Sequence, residues 1–156
     1  MITHARETVP ETLGDWADRL GGRVLDADPS ASVTGLSDHS RRVEAGFLFF
    51  ARRGSVEDGR RWIRDAHQFG AVAVVVDAPA EPGVPHLLVD DVDTALLEAA
   101  DLFHGRPQDA LDLIGVTGTK GKTTTAWLAA AALRRAGVPA AVLGTIAHEV
   151  GEGRIE

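Results

Sequence analysis

Cysteine is absent from all 156 residues, so no disulfide framework, thiolate metal site or thiol nucleophile is available. The absence fits a reducing cytoplasm. Basic residues are in deficit: 16 Lys and Arg stand against 23 Asp and Glu, a formal charge of −7. That balance disfavours a general nucleic-acid or anionic-membrane binder, since both use broad positive fields. An anionic ligand must instead meet locally placed donors. Long apolar runs are also missing. Stretches such as Ala71–Val76 are too short to span a bilayer, and the opening "MITHARETVPETLGDW" lacks the apolar core of a signal peptide. With 44% hydrophobic and 25% charged residues, no internal repeat and no low-complexity tract, the chain reads as a soluble, cytoplasmic globular protein. No nucleic acid and no membrane are expected as partners, and the oligomeric state is unreadable.

What is present alternates between helical and strand periodicities. Leu13, Trp16, Ala17 and Leu20 recur at helical spacing before Gly21-Gly22. A short strand is expected near Val33–Leu36 and a buried one at Phe47–Ala51. Asp58 can cap a helix whose inward face is Trp62, Ile63, Ala66 and Phe69, with Gly70 ending it. Ala71–Val76 is continuously apolar, as a parallel strand covered on both faces should be. His86–Val89 reads as a further strand, and Asp90 or Asp91 opens a helix carrying Leu96, Leu97, Ala100 and Phe103. These elements make an α/β unit with a mainly parallel sheet. The stretch "GRPQDA" (105–110) has the turn chemistry of a linker. The expected division is therefore 1–108 and 109–156, the second part beginning with a buried strand at Leu111–Val116 and closing on a strand at Ala140–Leu143.

Between those two strands lies "LIGVTGTKGKTTTAWLAAAALRRAG", Leu113 to Gly137. A strand, a glycine-rich turn and a helix N-terminus gather unpaired N–H groups around one point, where the helix adds roughly half an elementary positive charge. Gly118 and Gly121 allow tight turns and close approach, Lys122 can reach β- and γ-phosphates, and the Thr123 hydroxyl is placed to ligate Mg²⁺. The common phosphate-loop pattern would begin with glycine at the position of Val116, whereas glycine here occupies 115 and 118. A plain strand-to-helix turn with an exposed lysine is the alternative to phosphate binding. Arg134 and Arg135 suit the negative end of the helix, and Gly137 and Pro139 stop it.

The variant "GVTGTKGKTTT" closely resembles the ATP loop of the Mur ligases, the cytoplasmic amide-forming enzymes of peptidoglycan assembly, with Lys120 where that family usually has asparagine. Upstream, "HSRRVEAGFLFFARRGSVEDGRRWIRDAHQFGAVAVVVD" is similar to the family's N-terminal signature through Ser40, Arg41, Gly46, Leu48, Phe49, Ala51, Gly54, Asp58, Gly59, Gly70 and Ala71. His39 replaces its usual aspartate. The resemblance implies that 1–108 is a domain holding the uridine diphosphate end of the substrate, with contacts at Asp38, His39, Ser40, Ser55, Val56 and Glu57. It implies that 109–156 starts a P-loop ATPase domain binding ATP through Gly118, Thr119, Lys120, Gly121, Lys122, Thr123 and Thr124. Lys122 and Thr123 would carry the catalytic share, with Mg²⁺ on Thr123. Without the resemblance, Ser40 and Arg41 read as turn caps, and Arg41, Arg42, Arg52 and Arg53 as either an anion patch or a solvated strand edge.

Within the family, "AAVLGTIAHEVG" is most similar to the ligases that add a diamino acid (diaminopimelate, lysine or ornithine) to UDP-N-acetylmuramoyl-L-alanyl-D-glutamate. The ligases adding D-alanyl-D-alanine share the N-terminal signature and are the runner-up. A non-catalytic UDP-sugar or nucleotide-binding module is the reading from another class. The resemblance further implies that the acidic Mg²⁺ ligand, a modified lysine and a histidine lie beyond Glu156, so the chain alone is expected to be inactive.

Overall fold

Apolar side chains alternate between two faces along three neighbouring strands, and both faces are covered. The computed structural model describes residues 10–54, 58–144, 148–150 and 153–155. It divides into two compact units, Met1–Leu111 and Asp112–Glu156.

The first unit holds β1 (Arg23–Leu25), β2 (Gly35–Ser37), β3 (Phe47–Phe50), β4 (Ala73–Val76) and β5 (His86–Leu88), in the spatial order β1-β5-β4-β3-β2. Strands β2 to β5 are parallel, and β1 adds antiparallel to β5. The helices are α1 (Leu13–Arg19), α2 (Ile63–Gln68) and α3 (Val92–Phe103). Leu48, Phe50, Ala73, Val75 and Leu87 face one side of the sheet, against Leu13, Trp16 and Ala17 of α1 and Val92, Ala95, Ala99 and Leu102 of α3. Phe49, Val74 and Val76 face the other side, packing with Val43, Val84 and Ala66 of α2. Period-two alternation thus feeds two cores from the same strands.

Local chemistry sets the helix boundaries. Thr12 caps α1 in a reciprocal box: its hydroxyl accepts from the Asp15 N–H at 3.2 Å, and the Asp15 carboxylate accepts from the Thr12 N–H at 3.1 Å. Asp58 caps a 3₁₀ turn (Gly59–Trp62) that leads into α2, and Asp91 caps α3 by accepting from the Thr94 N–H at 2.7 Å. Gly70 ends α2 with φ +102°, a conformation that side chains resist.

Two helix-face expectations are corrected. Phe69 is 55% exposed, because α2 stops at Gln68 and Phe69 is the capping residue beyond its inward turn. Leu97 is 72% exposed: the buried stripe of α3 is 92, 95, 99 and 102, and Leu97 lies off it. Leu96, Ala100 and Phe103 flank that stripe half-buried, and Trp62 packs partly buried on the α2 side.

The second unit contains α4 (Lys122–Arg135) and a three-stranded sheet of β6 (Val142–Leu143), β7 (His148–Val150) and β8 (Gly153–Ile155). Its pairs β6–β7 and β7–β8 are both antiparallel, as short connections between neighbouring strands require. The buried strand expected at Leu111–Val116 is not seen: 111–116 belong to no ladder, and Leu113 and Ile114 are 75% and 73% exposed. An apolar segment becomes a strand only where a neighbour completes its hydrogen bonds, and the described residues supply none here. Of the alanines at 129–132, only Ala130 is buried.

Phe50 lies fully buried at the end of β3. Phe50→Ala should lower unfolding stability by about 3–5 kcal/mol, whereas Leu97→Ala should change it by less than about 0.5 kcal/mol. Urea denaturation of both variants checks the assignment of inner and outer faces.

Candidate functional site

Parallel pairing brings the C-terminal ends of β2, β3, β4 and β5 to one edge of the first unit's sheet, the edge where open α/β sheets receive ligands. The first residues past those strands are polar. Asp38, His39 and Ser40 follow β2, Arg52 and Arg53 lie just beyond β3, Asp77 follows β4, and Asp91 and Asp93 open α3 after β5.

The segment after β2 is tightly held. The Ser37 hydroxyl donates to the His39 carbonyl at 2.9 Å and accepts from the His39 N–H at 3.1 Å. His39 caps a 3₁₀ turn (Ser40–Arg42), its ring Nδ1 accepting from the Arg41 N–H at 3.2 Å. This is the local service that aspartate performs at a helix cap, so the imidazole fills that role without a negative charge. Ser40 is buried at the first position of the turn. Asp38 accepts from Arg52 Nη1 at 3.1 Å, while Arg52 Nε donates to Asp93. The hydrogen bond to Asp93, then that to Asp38, raises the guanidinium above its ordinary pKa.

Arg60 is bonded to Asp77, with Arg53 3.6 Å from the same carboxylate. Partial burial pushes the Asp77 carboxyl up, but Arg60 and Arg53 outweigh it and hold the group below its ordinary 3.8. Arg52 and Arg53 are therefore engaged by carboxylates, and the four-arginine anion patch considered from sequence does not form as a free cationic surface. Arg41 and Arg42 lie exposed on the 3₁₀ turn.

In the second unit, Thr117 through Thr124 are exposed. Gly118 and Gly121 adopt φ +150° and +79°, and Gly121 is the N-cap of α4 with no side-chain capping bond. Thr125 is the first residue to close a backbone bond onto the loop, to the Gly121 carbonyl at 2.9 Å. The amides at the start of α4 thus face outward without a side-chain acceptor. Lys122 Nζ donates to the Gly118 carbonyl at 2.7 Å, folding the ammonium back over the loop. At the far end, Arg134 donates to the Ala140 carbonyl at 2.8 and 3.0 Å. Positive-φ glycines, an uncapped helix start and an ammonium over the turn form a set of donors that suits a polyphosphate.

Residues 116–155 match the family model of the Mur ligase middle domain. The UDP-N-acetylmuramoyl-L-alanyl-D-glutamate--2,6-diaminopimelate ligase of Geobacter metallireducens is 46% identical over 125 residues, 79% of this chain and 24% of that protein. The ligase of the same name from Geobacter sulfurreducens is 44% identical over 141 residues, 89% of this chain and 28% of that protein. The chain belongs to the Mur ligase family. It spans about a quarter of the length of these curated relatives. Among solved Mur ligases, MurF of Acinetobacter baumannii superposes with a TM-score of 0.63 at 27% identity, covering 81% of this chain and 28% of that one. The Thermotoga maritima MurF ligase, solved in complex with ADP, gives a TM-score of 0.51 at 26% identity, over 66% of this chain and 24% of that one.

In this Mur ligase chain, Asp38, His39 and Ser40 come together at the sheet edge, and Gly118 to Thr124 come together at the start of α4. Ser55, Val56 and Glu57 lie outside the described residues. Among the described residues no three His, Cys, Asp or Glu side chains gather as a metal-holding set; Thr123, the metal ligand expected from the sequence, is exposed at the start of α4. None of the described helices is long and apolar enough to cross a membrane. The sequence reading did not single out Asp77 or Asp93. Asp77 carries one signal, being the first charged residue after a fully apolar strand. Asp93, 41 positions from Arg52, carries none that points to its partner.

Because the folded pKa of Asp77 is lowered, its pairing contributes stability above the ordinary 3.8 and loses it as pH falls through the lower folded value. Asp77→Asn should cost about 1 kcal/mol at neutral pH. The gap from wild type should close on acidification, as read by urea unfolding across that range.

Proposed function

We propose that this chain is the substrate-handle and phosphate-loop part of an ATP-dependent acid–amino-acid ligase of cytoplasmic peptidoglycan precursor synthesis. The enzyme would add a diamino acid to UDP-N-acetylmuramoyl-L-alanyl-D-glutamate. The observation carrying this reading is the joint presence, in one chain, of the Lys122 loop and of 44–46% identity to ligases named for that reaction. Their names favour 2,6-diaminopimelate over lysine or ornithine.

In this reading residues 1–108 hold the uridine diphosphate end of the substrate, through Asp38, His39, Ser40 and the segment Ser55, Val56 and Glu57. Residues 109–156 begin the ATP-binding domain. Gly118, Thr119, Lys120, Gly121 and Thr124 cradle the phosphates with backbone and hydroxyl donors, Lys122 neutralises the β- and γ-phosphates, and Thr123 holds Mg²⁺. Bound Mg²⁺ supplies charge neutralisation between the phosphates. The γ-phosphoryl group passes to the substrate carboxylate, and the incoming amine displaces phosphate from the acyl phosphate to form the amide. The loop's part is electrostatic alignment of that transfer. Lys122 swings from the Gly118 carbonyl to the phosphates, exchanging one acceptor for a charged one.

Addition of D-alanyl-D-alanine is the second reading, supported by the likeness to a solved Acinetobacter baumannii ligase named for that substrate, at 27% identity and a TM-score of 0.61. The higher identity to the diaminopimelate ligases weighs against it. Loss of Lys122 or Thr123 would have favoured a binding module without catalysis, and both are present.

Calorimetry of the 156-residue chain with the UDP-muramoyl dipeptide and with Mg-ATP, separately, tests the reading. Binding of the dipeptide is expected, and absence of binding to both ligands would sink it. No amide product is expected from the chain alone, since it covers about a quarter of its relatives. In the longer enzyme, Lys122→Ala should reduce turnover by about a hundredfold or more, and the accepted amine distinguishes the two ligase readings.

A further inference from the structure

Parallel neighbours in a sheet are usually joined by a helical crossover, but β4 and β5 are joined by residues 77–85 without one. Beside the start of α2 that loop leaves a pocket of about 260 Å³, lined by Arg60, Arg61, Ile63, Arg64, Glu81 and Val84. Both walls are fastened from behind. Asp58 caps the 3₁₀ turn that carries Arg60 and Arg61, and Arg60 is bonded to Asp77. Across the gap Val84 is buried, and the Gly83 N–H donates to the Asp26 carboxylate at 3.2 Å. The shape of the pocket is thus set by contacts outside its lining.

Charge decides what such a pocket can take. The chain as a whole carries −7, yet this lining holds three guanidiniums against one carboxylate. Arg60 is committed to Asp77, which leaves Arg61 and Arg64 against Glu81. Arg61 is exposed and has no ion-pair partner among the described residues. Arg64 donates to Glu81, from Nε at 3.1 Å and from Nη2, but both side chains are largely exposed. A pair so exposed is worth little and exchanges readily for another acceptor. The cavity is smaller than the roughly 300–1,000 Å³ of pockets that enclose drug-sized ligands. It suits one compact group, and paired guanidinium N–H donors match the oxygens of a phosphate.

We propose that this pocket is an anion site for a single phosphate group, held by Arg61 and Arg64, and that Glu81 is its built-in competitor. The carboxylate occupies Arg64 until the anion displaces it. None of the lining residues is among those assigned to the uridine diphosphate or to ATP, so the site stands or falls apart from that reading.

The test is a titration of the isotopically labelled 156-residue chain with inorganic phosphate at constant ionic strength, followed by amide chemical shifts. The amides of residues 60–64 and of Glu81, Gly83 and Val84 should move along one saturable curve. Arg61→Gln combined with Arg64→Gln should weaken that binding about tenfold. Glu81→Gln should tighten it about threefold, as expected for removal of an exposed competing pair. All three positions are exposed, so melting temperatures should stay within about 4 °C of wild type. Arg64→Gln alone, weaker by about threefold, carries the test if the double variant does not fold. Shifts confined to residues 117–124 would put the anion on the phosphate loop and overturn the proposal. Wild-type affinity in the arginine variants overturns the site, and unchanged affinity in Glu81→Gln overturns the competitor.

Discussion

The central strands β3 and β4 are apolar on both faces, and the first unit is organised around that constraint. A strand buried on two sides cannot slip by one residue without exchanging the side chains of its two cores, so register is firmly specified. With helices over both faces, polar residues are admitted where the strands end. Because β2 to β5 run parallel, Asp38, Arg52, Asp77 and Asp91 emerge at the same edge. The charged cluster is a geometric result of the apolar runs, although those residues are far apart in sequence.

That dependence explains what the sequence made readable. The strands at Phe47–Phe50 and Ala73–Val76 are visible as uninterrupted apolar runs, and Asp58 and Asp91 are visible as caps because capping is local chemistry. Leu97 and Phe69 were harder. The inward face of a helix depends on its phase and its last residue, and hydrophobicity alone specifies neither. The run at 111–116 has a strand's composition but no neighbour to make it one, a condition outside any local window. At the site, the phosphate loop is legible because glycine, lysine and threonine must be consecutive. The position of His39 was legible too, but its capping bond needed the direction of a ring nitrogen. The Arg52–Asp93 pair joins residues 41 positions apart and could come only from the fold.

The two units differ in how they treat apolar surface. In the first, Leu13, Trp16, Leu48, Phe50 and Val75 are wholly enclosed. In the second, Ala130 and Val142 are the buried apolar side chains, while Leu113, Ile114, Leu128, Val138 and Leu143 are exposed. Since hydrophobic stabilisation scales with the area taken from water, the enclosed side chains of the first unit contribute more of it than the described side chains of the second.

Gly121 carries a thermodynamic consequence of a different kind. A Ser, Thr, Asp or Asn at that position would supply an oxygen to the first amides of α4; glycine supplies none and leaves them to the solvent. An anion seated there would complete the helix from outside the chain. Occupancy would then be linked to folding, and the apparent stability of the segment would rise logarithmically with the free concentration of its ligand. The melting point of α4 is in that sense a property of the solution as much as of the polypeptide.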